Sequence, residues 1–199
     1  MTATASISSI DSLIGKTVVA RATANKLGQI HDLIADPVKG ELAGLALRMA
    51  DESLRLVDGR EIYSFGPDAV MINSDEAALP VEDSPLKLAP LAKNSLMGAN
   101  VITEGGKQLG QIANVYIHLA ETSLFIYEVR SSLLDKLLGH TLFFPASWGI
   151  ALSEDHTRLV VSNEAGEKAD KTLDALTTRL FGTPEEQGPT IVVRSRSHE

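Results

Sequence analysis

Gly15-Lys16-Thr17-Val18 and, after a short turn, Leu27-Gly28-Gln29-Ile30-His31-Asp32 decide how this chain is read. About 80 residues further on the same frame returns as Gly98-Ala99-Asn100-Val101 and Leu109-Gly110-Gln111-Ile112-Ala113-Asn114. Ser12-Leu13-Ile14 stands just before the first copy and Ser95-Leu96-Met97 just before the second. Downstream, Gly59 is matched with Gly139 and Ile62-Tyr63 with Leu142-Phe143. Landmarks in one order at nearly constant spacing are hard to obtain by chance. The chain is therefore expected to hold two copies of one unit, at residues 12–78 and 95–166. Gly15, Gly28, Gly98 and Gly110 are the glycines that define the repeat.

Working outward, each copy opens on a β-rich run, 16–21 and 99–103. Turn residues follow: Asn25-Lys26 in one copy, Gly105-Gly106-Lys107 in the other. That is a hairpin signal. The next runs are 30–35 and 112–119. In the second, Ala113, Val115, Ile117 and Leu119 fall on one face and Asn114, Tyr116 and His118 on the other, the period of a strand with one buried face. Strands are also expected at 42–49, 60–65, 69–73, 123–129, 140–144, 148–153 and 158–162. A short helix is expected at 131–139, with a counterpart at 51–59 where Leu54 and Val57 lie three apart. A glycine ahead of the second strand, Gly28 or Gly110, suits a bulge or a close backbone approach. Many short strands with little helix predict a mainly β fold of two tandem small barrels, closure of which would remove exposed edges.

Outside the copies, residues 1–11 are expected to be a flexible N-terminus. Residues 79–94 carry Pro80, Pro85 and Pro90, which suits a fairly stiff linker rather than a central strand. A C-terminal helix is expected at 167–182. Leu173, Leu176 and Leu180 share one of its faces, acids lie near its start and Arg179 near its end, and Gly182 and Pro184 stop it. Residues 183–199 are expected to be a mobile tail unless Ile191-Val192-Val193 joins a sheet edge.

Composition narrows the function. Of 199 residues, 44% are hydrophobic and 22% charged, with 18 Lys and Arg against 26 Asp and Glu and a net charge of −8. Such an acidic chain is a poor general binder of nucleic acid, which needs basic surface to neutralise phosphates. The absence of cysteine excludes disulfide scaffolds, Cys-ligated zinc, iron–sulfur clusters and thiol catalysis. No run approaches the roughly 18 apolar residues of a membrane span. The first residues lack the basic and apolar regions of a signal peptide. A cytoplasmic protein is expected.

The duplicated Gly-x-x-Val, turn, Leu-Gly-x-Ile, Asp/Asn pattern resembles the PRC-barrel domain, over about residues 12–78 and 95–163. That family includes the cytoplasmic part of the photosynthetic reaction-centre H subunit, the C-terminal half of a ribosome maturation factor and archaeal cell-division adaptors. The resemblance implies a small β-barrel and leaves the function open. The chain departs from both well-known relatives: no membrane helix is read before the first copy, and no preceding half of the maturation-factor type.

No catalytic, cofactor or metal constellation is read. His31 and Asp32 are neighbours on a strand and point to opposite faces, and His31 shares the parity of Leu33 and Ala35, a partly buried place. His118, His140, His156 and His198 are scattered and form no paired metal motif. Nucleophile elbow, phosphate loop and dinucleotide fingerprint are all absent. Candidate partner-binding residues are Tyr116, opposite the apolar face of its strand, the single tryptophan Trp148, and Leu173, Leu176 and Leu180, which either cap the second barrel or enter a partner groove. The leading expectation is a non-enzymatic adaptor that docks on protein partners of a larger complex, a membrane or photosynthetic assembly among them. Homo-oligomer formation and peripheral association with a membrane complex are compatible with it, and no direct nucleic-acid contact is expected. The alternatives are a ribosome-associated assembly factor and a small-ligand sensor using a cleft between the barrels.

Overall fold

The computed structural model describes residues 7–37, 39–87, 92–119, 124–131 and 140–182. All but the first residue of the helix expected at 131–139, and the tail 183–199, lie outside them.

The described chain is mainly β, with a short C-terminal helix. Strand β1 (Ile7–Ser9) comes first. The first repeat then supplies β2 (Thr17–Ala20), β3 (Lys26–Asp36), β4 (Glu41–Met49), β5 (Leu54–Asp58), β6 (Ile62–Phe65), β7 (Ala69–Ile72) and β8 (Ala78–Pro80). The second supplies β9 (Asn100–Thr103), β10 (Gln108–His118), β11 (Leu124–Arg130), β12 (Thr141–Pro145), β13 (Gly149–Leu152) and β14 (Arg158–Val161). Two helices follow, α1 (Glu164–Glu167) and α2 (Leu173–Phe181). Strand order is β5-β4-β3-β2-β7-β6 in the first repeat and β12-β11-β10-β9-β14-β13 in the second. In each, one pair is parallel, β2 with β7 and β9 with β14. The sheets meet at one residue pair, Leu124 with Glu41. Three-residue 3-10 turns, Gly59–Glu61 and Ala146–Trp148, carry the chain from β5 to β6 and from β12 to β13. Those strands lie at opposite ends of each order, so so short a connection requires each sheet to roll strongly on itself.

The repeat is real in three dimensions, but its second half is registered differently from the sequence matching. Tyr127 pairs with Phe144 where Leu45 pairs with Val57. Val57 therefore corresponds to Phe144, and the matches of Gly59 with Gly139 and of Ile62-Tyr63 with Leu142-Phe143 do not hold. Residues 131–140 are a longer connection than the turn at 50–53, and this displaces everything after β11. The helix expected at 51–59 is instead strand β5. Leu56 and Val57 are buried between β4 and β8, and pairing on both edges outweighs a weak three-residue spacing.

Two further expectations are corrected. Residues 7–11 are not a free end: β1 pairs with β10, and Ile10–Ser12 form a 3-10 turn with Ile10 1% exposed. Residues 79–94 are not simply a linker. Leu79 and Pro80 belong to β8, which lies against β5, and Ala92–Leu96 form a π-helical turn whose Leu96 is fully buried. Leu13 and Leu96, corresponding residues of the two copies, enter one continuous core that also contains Val18, Leu47, Val101 and Phe144. Burial of each such leucine contributes about 1.5–3 kcal/mol. The two copies therefore share one interior.

Candidate functional site

The family motif positions Asp32 and Asn114 occupy equivalent β-bulges on β3 and β10. The bulge breaks the alternation and buries Asp32 completely. Asp32 Oδ1 accepts from its own neighbour, Leu33 N (2.7 Å), and from Lys93 N (3.0 Å), which precedes the second repeat. Asn114 Oδ1 accepts from Val115 N (2.9 Å) and from Ser9 Oγ (3.2 Å), which precedes the first repeat. Each repeat's leading arm is thus held by the other repeat's motif residue. Lys93 Nζ also pairs with Asp11 Oδ1 at 2.7 Å, one arm against the other. That hydrogen bond, with the charge of Asp11, raises the Lys93 ammonium above its ordinary value.

The repeat glycines serve this frame. A methyl group on Gly28 or Gly110 would collide with the carbonyl oxygen of Arg48 or Arg130 on the neighbouring strand. Gly15 and Gly98 have φ of 81° and 83°, and their N–H groups donate to Ile30 O and Ile112 O, both at 2.8 Å. Left-handed φ favours glycine there.

The outer faces of the two sheets are both covered, by different means. In the first repeat Ile34, Ala46 and Leu56 lie under Val81 and Leu86. In the second, Ile126 and Phe143 lie under α2, with Leu176 fully buried and Leu173, Leu180 and Phe181 packed beside it. Thr172 caps α2 by accepting from Ala175 N, and Arg179 pairs with Asp170 at 2.8 Å. Leu173, Leu176 and Leu180 therefore pack on this chain's own sheet, the capping arrangement of the two expected for them. Tyr116 joins the same cluster, half-buried, with its hydroxyl donating to Glu128 Oε2 at 2.9 Å. Burial first, then that bond to a carboxylate, raises the Tyr116 phenol. Glu128, 5% exposed, also accepts from Arg130. Trp148 is half-buried, stacked on Phe144 (6.1 Å, 12°) and overlaid by the Arg179 guanidinium at 5.8 Å.

Sequence reasoning passed over Glu128 and weighed Asp32 only as the neighbour of His31. A lone charge in the run Leu124-Phe125-Ile126-Tyr127-Glu128-Val129 was the available signal, since a buried carboxylate must find donors. His31, at the bulge, reaches Arg48 Nη2 at 3.1 Å through Nδ1. Among the described residues no three His, Asp or Glu side chains are grouped to hold a metal, and no helix is long and apolar enough to cross a membrane. Ile10, Leu13 and Leu96, each no more than 1% exposed, fill the junction between the repeats. Part of the junction where a ligand cleft is expected is thus filled by apolar side chains.

Residues 6–79 match the PRC-barrel domain. The chain thus carries a PRC-barrel domain, and the second repeat has the same strand order beside it. A solved structure named as the 16S ribosomal RNA processing protein RimM of Pseudomonas aeruginosa is similar at 16% identity and a TM-score of 0.29, covering 75% of this chain and 95% of that one. No curated protein matches the chain.

Proposed function

We propose that this protein is a non-enzymatic, cytoplasmic assembly factor that binds protein components of a larger particle, with ribosome-associated assembly as the process. The PRC-barrel domain at residues 6–79 carries the reading, because the family the sequence resembles includes a ribosome maturation factor. The net charge of −8 directs the contact to a basic ribosomal protein rather than to bare RNA. A shared core holds the two repeats in one orientation, so a partner would meet a preorganised surface. No observation favours a photosynthetic or division complex, and that docking is not part of the proposal.

Co-sedimentation of the purified full chain with small ribosomal subunits tests this. The expected result is binding at low salt that weakens as salt rises, with no binding to protein-free ribosomal RNA. Absence from the particle fraction at low salt, or equal binding to bare RNA, overturns it.

A further inference from the structure

The cover on the second sheet has a titratable side chain beneath it. His118 ends β10 on the outer face and is only 6% exposed. Its ring lies flat against Phe181, the last residue of α2, with centroids 3.9 Å apart and planes 10° apart. Its Nε2 is buried with no hydrogen-bond partner among the described residues. A neutral imidazole can present an unprotonated nitrogen there, but an imidazolium must place an N–H where nothing accepts it.

We propose that α2 is an acid-released cover: protonation of His118 weakens the docking of Phe181 and uncovers the face formed by Tyr116, Ile126 and Phe143. The inference goes beyond the assembly-factor reading and does not rest on it.

Among the described residues the surroundings offer the proton no compensation. Across the sheet His118 pairs with Ile7 on β1 and Leu124 on β11. The next charged group in that row is Glu41 on β4, two strand spacings or about 10 Å away, and it is exposed. Strand β1 has no ionisable side chain, and Asp11 beyond it is paired with Lys93. On α2, Asp174 is exposed and Arg179 is committed to Asp170. Glu121 falls within 120–123, outside the described residues. Burial, with no charge contributing, lowers the His118 pKa below the ordinary histidine value. A group depressed in the folded state stabilises it fully above the unfolded value, about 6.5. That contribution is lost as pH falls from there through the folded value. The window is mildly acidic, below about 6.5.

Hydrogen exchange of the full chain at about pH 7.5 and pH 5, corrected for intrinsic rates, reads the cover directly. Amides of α2 are expected to open more often at the lower pH, while those of β3 and β10 stay protected. Trp148 fluorescence should change over the same range, since Arg179 of α2 lies over its ring. His118→Phe, which keeps the stack and cannot titrate, should abolish both changes, and Glu121→Gln should keep them. Should His118→Phe not fold, an NMR titration of His118 in the natural chain replaces it, with a midpoint expected to coincide with α2 opening. An unchanged α2, the same rise in His118→Phe, loss of the rise in Glu121→Gln, or non-coincident midpoints overturns the proposal.

Discussion

Asp32→Ala separates the crossing of the arms from ordinary burial. The substitution removes the acceptor of two backbone donors, Leu33 N at 2.7 Å and Lys93 N at 3.0 Å, at a site that is fully buried. Leaving a buried donor unsatisfied costs about 1–3 kcal/mol. Lys93 lies at the edge and recovers part of its loss from water, so the sum is about 3 kcal/mol. In a domain of this size that lowers Tm by about 6–12 °C. Asp32→Asn is the internal control, because Asn114 already performs the same task in the second repeat through a neutral oxygen. It keeps an acceptor and loses only the charge, and should cost about 1 kcal/mol. Urea unfolding followed by Trp148 fluorescence and far-UV circular dichroism measures both variants. A cost for Asp32→Ala within about 0.5 kcal/mol of the natural chain, the range of ordinary surface changes, or equal costs for the two variants, would refute the reasoning.

Other substitutions have expected outcomes of distinct sign and size. Gly28→Ala and Gly110→Ala drive a methyl group into a neighbouring carbonyl and should each cost at least about 3 kcal/mol; Gly15→Ala, with open space around it but φ of 81°, should cost about 1–2 kcal/mol by thermal unfolding. Leu176→Ala empties a fully buried site under α2 and should cost about 2–4 kcal/mol, with faster exchange of α2 amides. Tyr127→Phe should be neutral or stabilising by up to about 1 kcal/mol, because the Tyr127 hydroxyl is buried with no partner among the described residues. A clear loss of stability in that variant would show that the hydroxyl is satisfied.

Local signals were legible where local physics decides the structure. Period two over Ala113 to Leu119 placed Val115 and Ile117 inside, both 0% exposed. The leucine spacing and glycine stop of the helix expected at 167–182 marked α2, but α2 runs only from Leu173 to Phe181; residues 168–172 are not helical, because Asp170 pairs with Phe143. The Leu-Gly-Gln-Ile duplication marked a repeat that the strand order reproduces. Legibility ended where one residue's environment depends on distant chain. Asp32 is buried because a bulge turns it inward, and alternation alone placed its neighbour there instead. His118 sits on the outer face as its parity required, yet is buried because Phe181 lies on it. The extra length of 131–140 moved β12 to β14 out of the simple offset. Nothing near Ser9 or Lys93 announces that each will reach the motif residue of the opposite repeat, since that partnership arises only from tertiary packing.

The central structural claim is that the two repeats, joined by exchanged arms and one core, fold as a single unit. Native-state hydrogen exchange in low urea tests it, by comparing opening free energies of β3–β4 amides with those of β10–β11. The account expects the most protected amides of both pairs to open together, with the same free energy and the same urea dependence. It further expects Leu96→Ala, in the arm of the second repeat, to lower both by the same amount, about 2–5 kcal/mol. Separate opening of the two strand pairs, or a Leu96→Ala effect confined to one of them, would contradict it.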